Sequence, residues 1–136
     1  FVVLTAKDAE DRQSVEFHQM TIDYTGEGSG EVGGGQTDTV TATVNPYVNE
    51  IKISGNITGD NGLPFVASDV TVTINGPSGT EFTETYSVNN GQRQPFTFSI
   101  DNGEMVGDWE IILEANDPAS DFTYEYDWFN DFQISN

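Results

Sequence analysis

From Thr37 onward, apolar and polar residues alternate in short runs, the period of a half-buried β-strand. Residues 38–44 set Val40, Ala42 and Val44 against threonines, and residues 50–58 bring Ile51, Ile53 and Ile57 to one face. Residues 69–75 do the same with Val70, Val72 and Ile74, and residues 81–88 with Phe82, Tyr86 and Val88. Residues 95–100 carry Phe96, Phe98 and Ile100, and residues 108–115 carry Trp109, Ile111 and Leu113. Residues 121–135 hold Phe122, Tyr124, Tyr126 and Trp128, then Phe132 and Ile134. Between the runs lie Asn45-Pro46, Asp60-Asn61-Gly62, Gly76-Pro77-Ser78-Gly79, Asn89-Asn90-Gly91 and Asp101-Asn102-Gly103, whose residues favour turns. Seven or eight short strands spaced this way predict an all-β fold, a two-sheet β-sandwich of jelly-roll or immunoglobulin-like type, over residues 37–136.

The first part of the chain reads differently. Residues 1–25 form an N-terminal extension: a helix tail or exchanged strand, then a first strand. Residues 5–13 are polar and favour helix. Residues 14–25 alternate with a phase slip, because Val15 and Phe17 have one parity and Met20, Ile22 and Tyr24 the other; a bulge near His18–Gln19 reconciles them. Residues 26–36 hold six glycines in eleven positions and read as a flexible linker or long loop. The chain opens on Phe1-Val2-Val3-Leu4 without an initiator Met, as a processed or truncated start does.

Charge narrows the partners. The 136 residues carry 23 Asp and Glu against four Lys and Arg, a net of −19. Nucleic-acid binding by counterion release needs several cations on one face, and anionic membrane surfaces would repel this chain. Cations, neutral glycans and further copies of the chain remain. Such a charge destabilises the compact state by self-repulsion, which salt relieves, so a salt-loving source is expected. No cysteine is present, which excludes a disulfide scaffold, a zinc–thiolate site and a thiol nucleophile.

Candidate chemistry is sparse. The single histidine, His18, sits among Glu16, Gln19 and Asp23, no G-x-S-x-G elbow exists, and the expectation is a domain that is not an enzyme. With 23 acids, a carboxylate pair at glycosidase spacing carries no information. No cofactor is required; calcium is the candidate ion, because it takes hard oxygens from Asp- and Asn-rich loops. Those loops are Asp60-Asn61, Asp101-Asn102 and Asp117 with Asp121, and turn chemistry, the leading reading, accounts for each without a cation. Asn56-Ile57-Thr58 is an N-glycosylation pattern on Asn56. Residues 122–132 hold six aromatics in eleven positions. Tyr124, Tyr126 and Trp128 share a face and Phe129 takes the other, which suits core packing, a subunit interface or a glycan platform.

Two resemblances add to this reading. Pro77-Ser78-Gly79-Thr80 after one strand, and Gly107-Asp108-Trp109 opening a later one, resemble the jelly-roll modules of secreted proteases, the convertase P-domain and pre-peptidase C-terminal type. The whole layout, with Phe1 to Leu4 as a helix tail, the Gly-rich segment and a terminal β-sandwich, more closely resembles archaeal type IV pilin-like and archaellum-associated surface proteins. That second resemblance implies an extracellular or cell-surface structural subunit, built into a filament, pilus-like fibre or envelope layer by packing against its own kind. Phe1, Val2, Val3 and Leu4 would then be the assembly segment, inserting into a neighbour as an added strand. The alternative is a secreted glycan- or calcium-binding module.

Overall fold

The computed structural model describes residues 4–7, 13–16, 21–44, 46, 48–101 and 105–133. Ten strands run in chain order. They are β1 (Leu4–Lys7), β2 (Gln13–Glu16), β3 (Thr21–Val32), β4 (Thr37–Val44), β5 (Val48–Gly59), β6 (Ala67–Gly76), β7 (Gly79–Asn89), β8 (Arg93–Ile100), β9 (Gly107–Ala115) and β10 (Phe122–Gln133). No helix occurs among the described residues, so none is long and apolar enough to cross a membrane. β1 and β2 make a small antiparallel hairpin. The other eight form two antiparallel sheets, ordered β3-β10-β5-β8 and β4-β9-β6-β7. This is the two-sheet arrangement of a jelly roll.

One core joins the sheets. Ile51, Ile53 and Ile57 from β5 meet Val70, Val72 and Ile74 from β6 and Trp109, Ile111 and Leu113 from β9, all fully buried. Aromatic contacts cross the interior: the Phe98 ring lies 6.1 Å from that of Trp109 and 6.1 Å from that of Phe82. The alternation of Val, Ile and aromatics therefore did what period-two patterning does, placing one parity inside and leaving Thr, Asp and Glu outside.

Two expectations about the N-terminal part are corrected. Thr5, Ala6 and Lys7 lie in β1 and Gln13 in β2, not in a helix; residues 8–12 and the bulge at His18–Gln19 lie outside the described residues. A short polar stretch has little helical stability alone, and strand pairing overrides it. The Gly-rich segment is not a linker through residue 32. It forms the second half of β3, and β3 pairs with β10 from Thr21↔Gln133 to Val32↔Phe122. The sandwich thus begins in β3 rather than at residue 37, and only residues 33–36 turn.

The reason is the spacing of the glycines. Gly26, Gly28 and Gly30 stand opposite Trp128, Tyr126 and Tyr124 on the inner face. A Cβ on Gly28 would come within 2.5 Å of the Tyr126 ring, and one on Gly30 within 2.6 Å of the Tyr124 hydroxyl. The rings lie across the bare backbone and cover it, the compensation that large side chains offer a glycine-weakened strand. Tyr124 and Tyr126 stack with centroids 6.4 Å apart. The Tyr124 hydroxyl then donates to Asp38 Oδ2 on β4 and ties the two sheets along this edge.

Gly28→Ala should cost about 1 to 2 kcal/mol alone and much less in a Tyr126→Ala background, since the clash is with that ring. Denaturant unfolding of the two single variants and the double variant measures the coupling. A second expectation concerns alkali. Burial, then the hydrogen bond to Asp38, raise the Tyr124 phenol above its ordinary 10.0. The fold keeps this phenol neutral, so its contribution is complete below pH 10.0 and declines as pH rises above that value. Tyr124→Phe should flatten the loss of melting temperature above pH 10.0.

Candidate functional site

Strand direction sorts the connecting loops to two ends. One end collects residues 33–36, 60–66, 90–92 and 116–121; the other collects, of the described residues, 46, 77–78, 101 and 105–106. The predicted ion-binding residues divide between them. Asp60, Asn61, Asp117 and Asp121 come together at the first end, whereas Asp101 lies at the second; Asn102 is outside the described residues. Among the described residues no group of three acids or histidines is arranged to hold a metal.

At the first end these side chains shape the backbone. Asp121 Oδ1 accepts from Gly34 N at 2.8 Å, and Asp117 Oδ1 accepts from Ala119 N at 2.8 Å. The Asp60 amide donates to the Asp121 carbonyl at 2.9 Å, and Ser68 Oγ to the same carbonyl at 2.7 Å. Asn61 is the centre of the β5–β6 loop. Its Nδ2 donates to the Val66 carbonyl at 2.9 Å and to the Ala119 carbonyl at 3.0 Å. Its Oδ1 accepts from Leu63 N at 2.9 Å, an Asx turn. Gly62 N donates to Asn90 Oδ1 at 2.9 Å, which fastens the loop to its neighbour.

What this scaffold holds up is apolar. Leu63, Phe65 and Val66 are exposed, and Phe65 is completely so at 102% of its reference area. Phe65 is also the only described non-glycine residue with positive φ, at 64°. It follows Pro64 in a turn, where that conformation normally falls to Gly or Asn. Left-handed backbone under a bulky residue costs on the order of 1–3 kcal/mol, and such strain gathers at functional positions. The sequence signal was present but unread: Leu63-Pro64-Phe65-Val66 is an apolar run between a turn and a strand, where nothing needs core residues.

Of the three readings of the aromatic stripe, core packing describes Tyr124, Tyr126 and Trp128, and the surface or interface reading does not. Trp128 and Tyr124 are buried, Tyr126 packs against the core, and Trp128 Nε1 donates to the buried Asn130 Oδ1 at 2.6 Å. Core alternation took them inside, because β10 is a central strand. Phe129 has the outer parity and is half-buried opposite Lys52. Asn56 is also on that outer face; its Nδ2 donates to Glu125 Oε1 at 3.2 Å, and Arg93 pairs with the same carboxylate. These groups line a shallow polar trough with Ser29 and Thr123. Of the proposed assembly segment, Phe1 to Val3 lie outside the described residues, and Leu4 is paired with Glu16 within the chain's own hairpin.

Asn61→Ala removes three hydrogen bonds and should cost about 2 kcal/mol in urea unfolding. Amide exchange should quicken at residues 62–66 while the β5 and β6 amides stay protected.

No protein-family model matches the chain, and no curated protein matches it. Solved structures share its fold. Dimeric latent PorU from Porphyromonas gingivalis is similar over 84% of this chain and 13% of its own, with 8% identity and a TM-score of 0.56. Tripeptidyl peptidase 2 is similar over 85% of this chain and 10% of its own, with 15% identity and a TM-score of 0.52. A pilus-forming Bacillus endospore appendage has a TM-score of 0.45 at 18% identity, over 90% of this chain and 97% of its own. The chain therefore spans about an eighth of the length of PorU and a tenth of that of tripeptidyl peptidase 2. For PorU and tripeptidyl peptidase 2, at these identities, the likeness is one of fold.

Proposed function

We propose that this domain is a non-catalytic packing unit of an extracellular or cell-surface assembly, such as a filament, pilus-like fibre or envelope layer, and that the 60–66 loop makes its contact. The observation that carries the reading is Phe65: an aromatic fully in water, in a conformation its side chain opposes, on a loop fixed by four Asn-mediated hydrogen bonds. A folded domain gains nothing from this arrangement by itself. A neighbour that buries the ring recovers the strain and the apolar area together, and rigid aromatic anchors of this kind dominate interface energetics. Glycan binding, the second reading, loses its aromatic platform to the core and keeps only the polar trough around Asn56 and Arg93.

Phe65→Asn separates the two demands on this residue. Asn tolerates positive φ, so the isolated domain should gain about 1 kcal/mol in unfolding free energy. Assembly, followed by sedimentation and electron microscopy, should be lost. A variant that assembles as the unaltered chain does sinks the proposal.

A further inference from the structure

Resting on that reading, we infer that the neighbour is a second copy of this chain, and that the tip at one end of the sandwich seats on the opposite end of the next copy, at Pro77, Met105 and Val106. Two observations support this pairing of ends.

The first is where the charge lies. Glu27, Glu31, Glu125 and Asp127 face outward from one sheet, and Asp69, Asp108, Glu110 and Glu114 from the other. Copies lying face to face would press these carboxylates together. The tip end is different. At the tip end, residues 33–36 and 90–92 carry no charge, and two of its three acids, Asp117 and Asp121, each accept a backbone N–H. End-to-end stacking shifts the charged faces of successive copies along the axis by one strand length. The ten residues of β6 span roughly 33 Å, about four Debye lengths at physiological salt. This route keeps the charged sheet faces of successive copies apart; among the described residues the acids near the contact are Asp60, Asp117 and Asp121 at the tip end and Asp101 and Asp108 at the other.

The second is what the far end offers. β6 leaves the tip loop at Ala67 and delivers the chain to Pro77 at the opposite end. There the β6–β7 turn meets the β8–β9 loop: a Cβ on Gly107 would lie 2.9 Å from Pro77 Cγ. Val106, next in the chain, is 49% exposed. Trp109 Nε1 donates to the Met105 carbonyl at 2.7 Å, which holds that loop against the core. Val106 is the one large apolar side chain outside the tip loop that is exposed among the described residues. A tip of Leu63, Phe65 and Val66 and a seat of Pro77, Met105 and Val106 are different surfaces, so the contact is heterologous. Repeated, it grows an open filament rather than closing as a pair.

Complementary blocking tests this. Phe65→Asp closes the tip and leaves the seat; Val106→Asp closes the seat and leaves the tip. In sedimentation velocity over a concentration series, each variant alone should stay monomeric. Their equimolar mixture should form a one-to-one dimer that does not extend. Val106→Ser, with melting temperatures for all variants, guards against loss of fold and should weaken assembly at least tenfold. If Val106→Asp and Val106→Ser assemble normally while Phe65→Asp does not, or if the mixture of two blocked variants stays monomeric, the seat is wrong and the packing role of Phe65 stands. If Phe65→Asp assembles as the unaltered chain does, or the unaltered chain stays monomeric throughout, both proposals fall.

Discussion

The sandwich depends on the fit between β10 and the glycine half of β3. β10 is central in its sheet and carries Phe122, Tyr124, Tyr126 and Trp128 along one face. Rings of that size need space beside them, and Gly28 and Gly30 supply it for Tyr126 and Tyr124 by having no side chains. The rings in turn shield a backbone that glycine alone would leave too mobile to hold a strand. Because β3 is secured, Tyr124 reaches past it to Asp38 on β4, and the two sheets are joined at that edge. The loop at residues 33–36 is then short, and its Gly34 amide meets Asp121 beside the β5–β6 loop.

That chain of contacts fixes the end of the molecule on which the proposed function rests. Asn61 works between two loops, with bonds to Val66 and Ala119, and Asn90 adds a third. Acidic and amide side chains that look like cation ligands in the sequence are used here to set backbone direction. They hold Leu63, Phe65 and Val66 outward against the hydrophobic effect, which is the opposite of their ordinary fate. The charge of the chain complements this. Carboxylates populate the sheet faces, and at the tip end Asp117 and Asp121 are tied to backbone amides.

Much of the fold was legible because period-two alternation is a local signal with a direct physical cause. Ile51, Ile53 and Ile57, Val70, Val72 and Ile74, and Trp109, Ile111 and Leu113 are inside as their spacing requires. The glycine segment misled because glycine has no side chain to show a parity. Composition argued for a linker, yet the spacing of Gly26, Gly28 and Gly30 is itself period two. Its meaning appears only when the same period in Tyr124, Tyr126 and Trp128 is laid beside it, across more than ninety residues of chain.

The sequence by itself therefore determined the class of fold, the core-facing residues of seven strands and the acidity that limits partners. All of these follow from local patterning and from counting charges. Tertiary structure decided what became of the residues with two uses. The aromatics of β10 went to the core because their strand is central, and the aspartates and asparagines went to turn bonds because the loops converge. Phe65 stayed in water because the loop that carries it is held from both sides. Each outcome depends on which distant segments meet, and a chain's own periodicity carries no record of that.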